Sequence, residues 1–190
     1  MDHVIVRRPN IEDKNKLNKL FDIVIKDTFR KNNLEYLVEM IEEEIETKIK
    51  YLEQDFESDG KERYFLIAEI DSKIIGTIEY GASSELIERC TDGEIKDMIE
   101  LGTIFVLPEH QGNGIGHLLI NKIANELKKN GIDEICLDSG YKTAQKTWTK
   151  KFGKAQYQLK DYWLKDNDHM IWKVNISDVE LVNLDLEENT

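Results

Sequence analysis

The stretch "VLPEHQGNGIGHLL", residues 106–119, sets glycines at 112, 114 and 116 between an apolar run ending at Val106 and another beginning at Leu118. Glycines let a backbone take positive φ and approach a ligand closely. The first N–H groups of a helix starting there lack intrahelical partners and sit at the positive end of its dipole. Gln111, Gly112, Asn113, Gly114, Ile115 and Gly116 are therefore candidates to cradle an anion such as a pyrophosphate. The plainer alternative is a tight strand-to-helix turn, although three glycines in five residues exceed what a turn needs. Counting excludes two familiar phosphate loops. The dinucleotide fingerprint GxGxxG meets His117 in its last position when started at Gly112 and Leu119 when started at Gly114. The GxxxxGK(S/T) loop fails because no Gly-Lys pair occurs in this stretch.

The flanking patterns show what positions the loop. "VIVRR" (Val4 to Arg8) reads as a short strand, and Asn10 with Asp13 three residues later marks a helix start. Leu17, Leu20, Phe21, Val24 and Thr28 continue that helix. A second pattern, from Leu34 through Leu37, Val38, Ile41, Ile45, Ile49 and Leu52 to Phe56, predicts an amphipathic helix of about six turns. Its run "EEEIE" reads as a solvated face. "YFLIAEI" and "IIGTIEYG" predict a hairpin across "DSK", residues 82–98 a long polar connection, and "IELGTIFV" (Ile99 to Val106) a strand running into the glycine loop. Beyond the loop, Leu118, Leu119, Ile123 and Leu127 share a helical face that Asn130-Gly131 terminates. "EICLD" is then a buried strand, "TAQKTWTKKFG" a short helix closed by Gly153, and "AQYQLKDYWL" with "HMIWKVNI" a final hairpin across "KDND". The order β-α-α-β-β-β-α-β-α-β-β predicts an α/β (α+β) fold: a mixed, mostly antiparallel sheet with helices on both faces.

Composition narrows the class. The 190 residues allow one sizeable core, and two prolines with no Ser/Gly-rich tract leave no flexible linker. A net charge of −12 speaks against non-specific binding to nucleic acid or to an anionic membrane. No stretch approaches the roughly 18 apolar residues of a membrane span, and a cytoplasmic location is expected. Cys90 and Cys136 form no CxxC or Cys/His cluster, so no metal site is predicted and both thiols read as buried or idle.

The run "ELGTIFVLPEHQGNGIGHLLI" resembles the signature of the GNAT superfamily of N-acetyltransferases, in which a strand ends in V-x-P and Q/R-x-x-G-x-G/A follows. Val106, Pro108, Gln111, Gly114 and Gly116 carry the match. "DSKIIGTIEYG" is similar to the family's central hairpin, and "TAQKTWTKKFG" stands where its last helix belongs. The resemblance implies one acetyltransferase domain over residues 1–176 and an acidic tail over 177–190. It implies acetyl-CoA (coenzyme A) as acyl donor, with Ile104, Phe105 and Val106 lining the pantetheine arm and the 111–116 loop holding the pyrophosphate.

Acetyl transfer to an amine needs a neutral amine, an oxyanion donor and an outlet for the thiol. A lysine-like amine has a pKa of about 10.4, so a base must remove its proton near neutrality. Glu100, six residues before Val106, stands where the family often carries a carboxylate; the alternative is a strand-end glutamate facing solvent. The resemblance implies a backbone bulge freeing an N–H near Phe105 or Val106. It also implies a tyrosine acid on the last helix, but Ala144 is followed four residues later by Trp148, whose indole is no useful acid. Tyr141, nearby, is the candidate left for that role.

Between Gly81 and Glu100, six acidic residues face two basic ones, a balance that would steer a cationic amine. The expected acceptor is a small-molecule or peptide amine, and a homodimer is allowed. A catalytically weak CoA-binding sensor or interaction module of the same fold is the alternative, favoured by Trp148.

Overall fold

The structure, a computed structural model, describes residues 4–179. Strand β1 (Ile5–Arg7) leads into a turn that Asn10 caps: its side chain accepts the Glu12 N–H at 3.0 Å, and Asp13 accepts the Asn10 N–H at 2.9 Å. Helix α1 (Lys14–Lys31) buries Leu17, Leu20, Phe21 and Val24, the periodic positions of the sequence, and adds Ile25 and Phe29. Helix α2 (Val38–Ser58) begins later than the apolar pattern implies. Asn33 takes φ +58° after α1, and Leu34 and Leu37 pack against the core from the connection instead. Along α2 only Ile41 and Leu52 of the apolar positions are buried, because much of this helix walls a cavity.

The predicted hairpin is β2 (Arg63–Ile70) and β3 (Lys73–Ala82), closed by Asp71 and Ser72, both at positive φ. Two such residues match the twist of the strands they join. Residues 82–98 are not only a polar connection, since they contain a short helix, α3 (Glu85–Cys90). Ser84 caps it by accepting the Ile87 N–H, and Ile87 and Ile95 pack with Cys136 and Ile171 in a second small core. Six residues make under two turns, too few to display a helical period.

Strand β4 (Ile99–Val106), helix α4 (Ile115–Lys129), strand β5 (Glu134–Ser139), helix α5 (Lys142–Phe152) and the hairpin β6 (Tyr157–Leu164) with β7 (Asn167–Asn175) complete the predicted order. Among the described residues, seven strands form one sheet in the order β1-β2-β3-β4-β5-β7-β6, antiparallel except for β4 with β5. Four consecutive buried residues in β2, Phe65 to Ala68, show that both faces are covered. Phe21 of α1 packs on Phe65 and Phe105 on one face. On the other, Ile115 and Leu119 of α4 lie against Gly76. After β7, Ile176 and Val179 turn back into the core; the rest of the acidic tail expected over 177–190, from residue 180 on, lies outside the described residues.

Candidate active site

Strands β4 and β5 pair only at Ile99 with Ile135 and at Glu100 with Cys136. Beyond that point β5 stays with β7 and β4 stays with β3, so the two parallel strands diverge. Among the described residues, the edge of β4 from Leu101 to Val106 is left without a strand partner on that side, and it lines a cavity of about 500 Å³. Helices α1 and α2, the end of β5, the start of α5 and the β6–β7 hairpin supply the other walls. That volume is ordinary for a small-molecule site.

The open edge carries usable backbone groups. Leu107 N–H donates to Ile75 O at 2.9 Å, and the peptide is trans, so the Val106 carbonyl points away from β3 toward the cavity. In a strand the N–H of a residue points the same way as its C=O, which places the Val106 donor on that side too. A bulge is present, two residues before the expected position: β4 gains one residue on β3 between Gly102 and Phe105, and Thr103 takes φ +48°. Ile104, Phe105 and Val106 all line the cavity.

The glycine loop follows directly. Gly112 and Gly114 take φ +79° and +81°, and a Cβ on either would meet open space. Helix α4 starts at Ile115, and among the described residues no side chain caps its first N–H groups. Asn113 lies between the two glycines, and Gly116 falls in the first turn of the helix. The Gln111 side chain is turned back onto the protein: its amide donates to the Val106 carbonyl at 2.9 Å and accepts from Lys31 Nζ at 2.7 Å. Lys31, at the end of α1, thus brings a positive charge to the loop.

Glu100 is buried, not a strand-end glutamate in solvent, and it accepts the Ser84 N–H at 2.6 Å. Burial first, then the charges of Asp138 and Glu79, push its pKa up to about 7 against the pull of Lys48 and the Ser84 bond. Glu79 is itself paired with Arg63 at 2.9 Å and accepts from Thr103 Oγ1.

Tyr141 stands at the N-cap position of α5 and lines the cavity, and its hydroxyl donates to Glu44 of α2. Burial and the Glu44 charge raise its pKa far above the ordinary phenol range, the direction opposite to an acid's need. Trp148 also lines the cavity, stacked on Phe152 with ring centroids 5.9 Å apart.

Several lining residues escaped the sequence reading. The acidic run of α2 is not wholly a solvated face, because Glu44 turns into the cavity with Lys48 one turn later. Burial opposes the charge on Lys48, yet Glu44, Glu79 and Glu100 together hold its ammonium above the usual range. Asp138, Trp163 and His169 close the far side. The one available signal was spacing: Met40, Glu44, Lys48 and Tyr51 recur every three or four residues and form one stripe of α2. Among the described residues no cluster of His, Cys, Asp or Glu could hold a metal ion, and no helix is long and apolar enough to cross a membrane.

The model of the acetyltransferase (GNAT) family matches residues 19–154. No curated protein matches the sequence. Among solved structures, the PaiA N-acetyltransferase of Thermoplasma acidophilum, in complex with coenzyme A, superposes with a TM-score of 0.64 at 21% identity, over 90% of this chain and 99% of that one. A ribosomal-protein-alanine N-acetyltransferase from Brucella melitensis gives 0.64 at 17% identity, over 90% and 99% of the two chains. An N-acetyltransferase from Staphylococcus aureus gives 0.64 at 17% identity, over 92% and 99%.

Proposed function

Because the chain belongs to the acetyltransferase (GNAT) family, we propose that it transfers the acetyl group of acetyl-CoA to a primary amine, with Glu100 as general base. The observation that carries this reading is the divergence of β4 from β5, which leaves an open strand edge running from Glu100 to the glycine loop.

The residues present fit the donor. The open space at Gly112 and Gly114 and the uncapped N–H groups of α4 suit a pyrophosphate. The exposed β4 edge from Ile104 to Val106 suits an extended amide-bearing arm. Acetyl-CoA, when bound, supplies a thioester carbonyl as electrophile. Glu100 takes the amine proton on its carboxylate, and a group titrating at about 7 is ionised often enough to accept it. The Val106 N–H is available to negative charge developing on a carbonyl oxygen. Tyr141 positions α2 through Glu44 and gives up no proton. None is required, since a thiol with a pKa of about 8.5 departs as the thiolate.

Glu43, Glu44, Glu100 and Asp138 line the cavity against Lys48, which favours a cationic amine as acceptor. The second reading, a CoA-binding sensor without turnover, draws on Trp148 where a tyrosine acid is usual for the family.

The test is a comparison of melting temperature with excess acetyl-CoA, ADP and NAD, followed by thiol release with a panel of amines. Ligand at a hundred times its dissociation constant adds about 2.7 kcal/mol. A shift with acetyl-CoA well above the other two, with thiol release, supports transfer. A shift without release from any amine supports the sensor, and no shift overturns both.

A further inference from the structure

We infer that Asp138, backed by His169 and Trp163, is a second carboxylate of this site, a positioning residue that makes Glu100 a stronger base. The inference rests on the reading of Glu100 as the group that takes the amine proton.

Strand geometry places the two carboxylates together. Glu100 is the last residue of β4 paired with β5, opposite Cys136, and Asp138 is two residues further along β5. Residues two apart in a strand share a face, and paired residues of parallel strands do so too. Glu100 and Asp138 therefore project from the same face, on either side of the point where the strands part, and both line the cavity.

Behind Asp138 stands a built assembly. His169 of β7 is 2% exposed, and its Nε2 lies 3.1 Å from Asp138 Oδ2. That contact is off the line of a hydrogen bond, so Nε2 is a buried ring nitrogen with no aligned partner. Its other nitrogen, Nδ1, accepts the Trp163 indole N–H at 3.2 Å. An indole only donates, so Nδ1 presents its lone pair, which leaves Nε2 to carry a ring proton, 3.1 Å from Asp138 Oδ2 but off the line to it. The indole is held in turn. A Cβ at position 140 would lie 2.5 Å from Trp163 Nε1, so only a glycine there lets the ring sit where it does. The rings of Trp163 and His169 meet edge to face at 5.7 Å, and Tyr162 flanks the imidazole at 5.5 Å.

The core does not need this arrangement. Trp163 is 39% exposed on the edge strand β6, whereas the ring it orients is buried and faces a carboxylate in the cavity. The indole thereby fixes the orientation of the imidazole that packs against Asp138. The charged groups facing Glu100 are Asp138 of β5, Glu79 of β3 and Lys48 of α2, with the Ser84 N–H from the segment before α3. Those facing Asp138 are His169 of β7, Glu100, Glu44 of α2 and Tyr141. After burial, the Asp138 charge is the largest influence making Glu100 a better proton acceptor. Without it, burial and Glu79 still raise the pKa of Glu100 against Lys48 and the Ser84 N–H, but by less, and the carboxylate becomes a weaker proton acceptor.

The experiment titrates Glu100 itself, by carbon NMR of the full chain labelled at glutamate Cδ, with Glu100→Gln assigning the resonance. Wild type, Asp138→Asn and Trp163→Phe are compared, and the pH profile of kcat/KM is recorded alongside. The Glu100 midpoint falls by about one pH unit or more in Asp138→Asn, as expected on removing a neighbouring like charge. It falls by a smaller amount in Trp163→Phe, and the acid limb of kcat/KM moves with it. Trp163→Phe changes a half-exposed ring and decides the matter if Asp138→Asn fails to fold. An unchanged Glu100 midpoint in folded variants overturns the inference. The titration needs no turnover, so failure of the base reading is seen separately, as full kcat in Glu100→Gln.

Discussion

The backbone N–H of Ser84 donates to Glu100 Oε2 at 2.6 Å, joining the residue that caps α3 to the buried carboxylate of β4. One carboxylate oxygen is thereby held. The bond also stabilises the ionised form, while burial and Asp138 oppose it more strongly, leaving the group to titrate at about 7.

Removing that carboxylate tests its role. Glu100→Gln retains the shape and the Ser84 contact but cannot accept a proton. A general base is worth roughly 10²- to 10⁴-fold, and kcat should fall by that factor. In the wild type the base is active when ionised, so kcat/KM rises with pH through about 7 and then levels. The variant should show no such limb in amine titrations followed by thiol release, and a preserved limb would assign the base elsewhere.

The same group makes stability depend on pH. Its folded pKa of about 7 stands above the ordinary 4.5, so the folded protein holds this proton more tightly than the unfolded chain. Its contribution is then fully present below pH 4.5 and lost as pH rises to about 7. Asp55, fully buried beside Arg8, acts in the same direction with a pKa raised by burial to about 6. Urea unfolding at pH 5 and pH 8 should show the wild type losing more stability than Glu100→Gln. The difference should be about 3 kcal/mol, at about 1.4 kcal/mol per pKa unit. Equal losses would mean that Glu100 is solvated.

Gly116 separates a phosphate cradle from a mere turn. Gly112 and Gly114 need their positive φ, but Gly116 lies within α4, and a Cβ there would meet only Val106 Cγ2 at 3.9 Å, an ordinary contact. Alanine is the better helix former by about 0.8–1 kcal/mol. Gly116→Ala should therefore leave the ligand-free protein as stable or more so, while weakening acetyl-CoA binding by calorimetry because the ligand must approach this backbone. Unchanged binding would reduce the loop to a connection.

The Tyr141 hydroxyl is committed to Glu44, 97 residues away in sequence. Tyr141→Phe should lower kcat less than tenfold, below the 10²-fold expected of a general acid. It should also reduce thermal stability, because α2 loses its polar tie to the start of α5. A fall of 10²-fold or more with unchanged stability would restore the phenol as the acid.

What the sequence disclosed, and what it hid, follows from range. The strand, loop and helix around Gln111 to Gly116 were legible because positive-φ glycines and apolar periodicity are local properties. Glu100 stood out only through the family resemblance, six residues before Val106, and its burial could not be read from the strand pattern. Glu44 reads as part of a solvated run because its partner, Tyr141, lies 97 residues away in sequence. Asp138, His169 and Trp163 assemble from β5, β7 and β6, and no spacing within one segment announces such a group. Helix α3 was missed for its length, and its one signal was Ser84 at the cap position.

Gln111 links the loop to the open edge of β4, and its loss should be seen in binding alone. Its amide takes the Val106 carbonyl and its oxygen takes Lys31, so it fixes where the strand ends and where the cation stands. The residue is exposed, which makes a large effect on folding stability unnecessary. Gln111→Ala removes one neutral and one charge-assisted hydrogen bond, together about 1–3 kcal/mol when the loop must be ordered for a ligand. At 1.4 kcal/mol per tenfold, KM for acetyl-CoA should rise about tenfold or more. The value of kcat should hold, because the contact serves ground state and transition state alike. Lys31→Met should reproduce part of the rise and weaken its dependence on salt. A Gln111→Ala enzyme with unchanged KM would show that the loop is ordered without this latch.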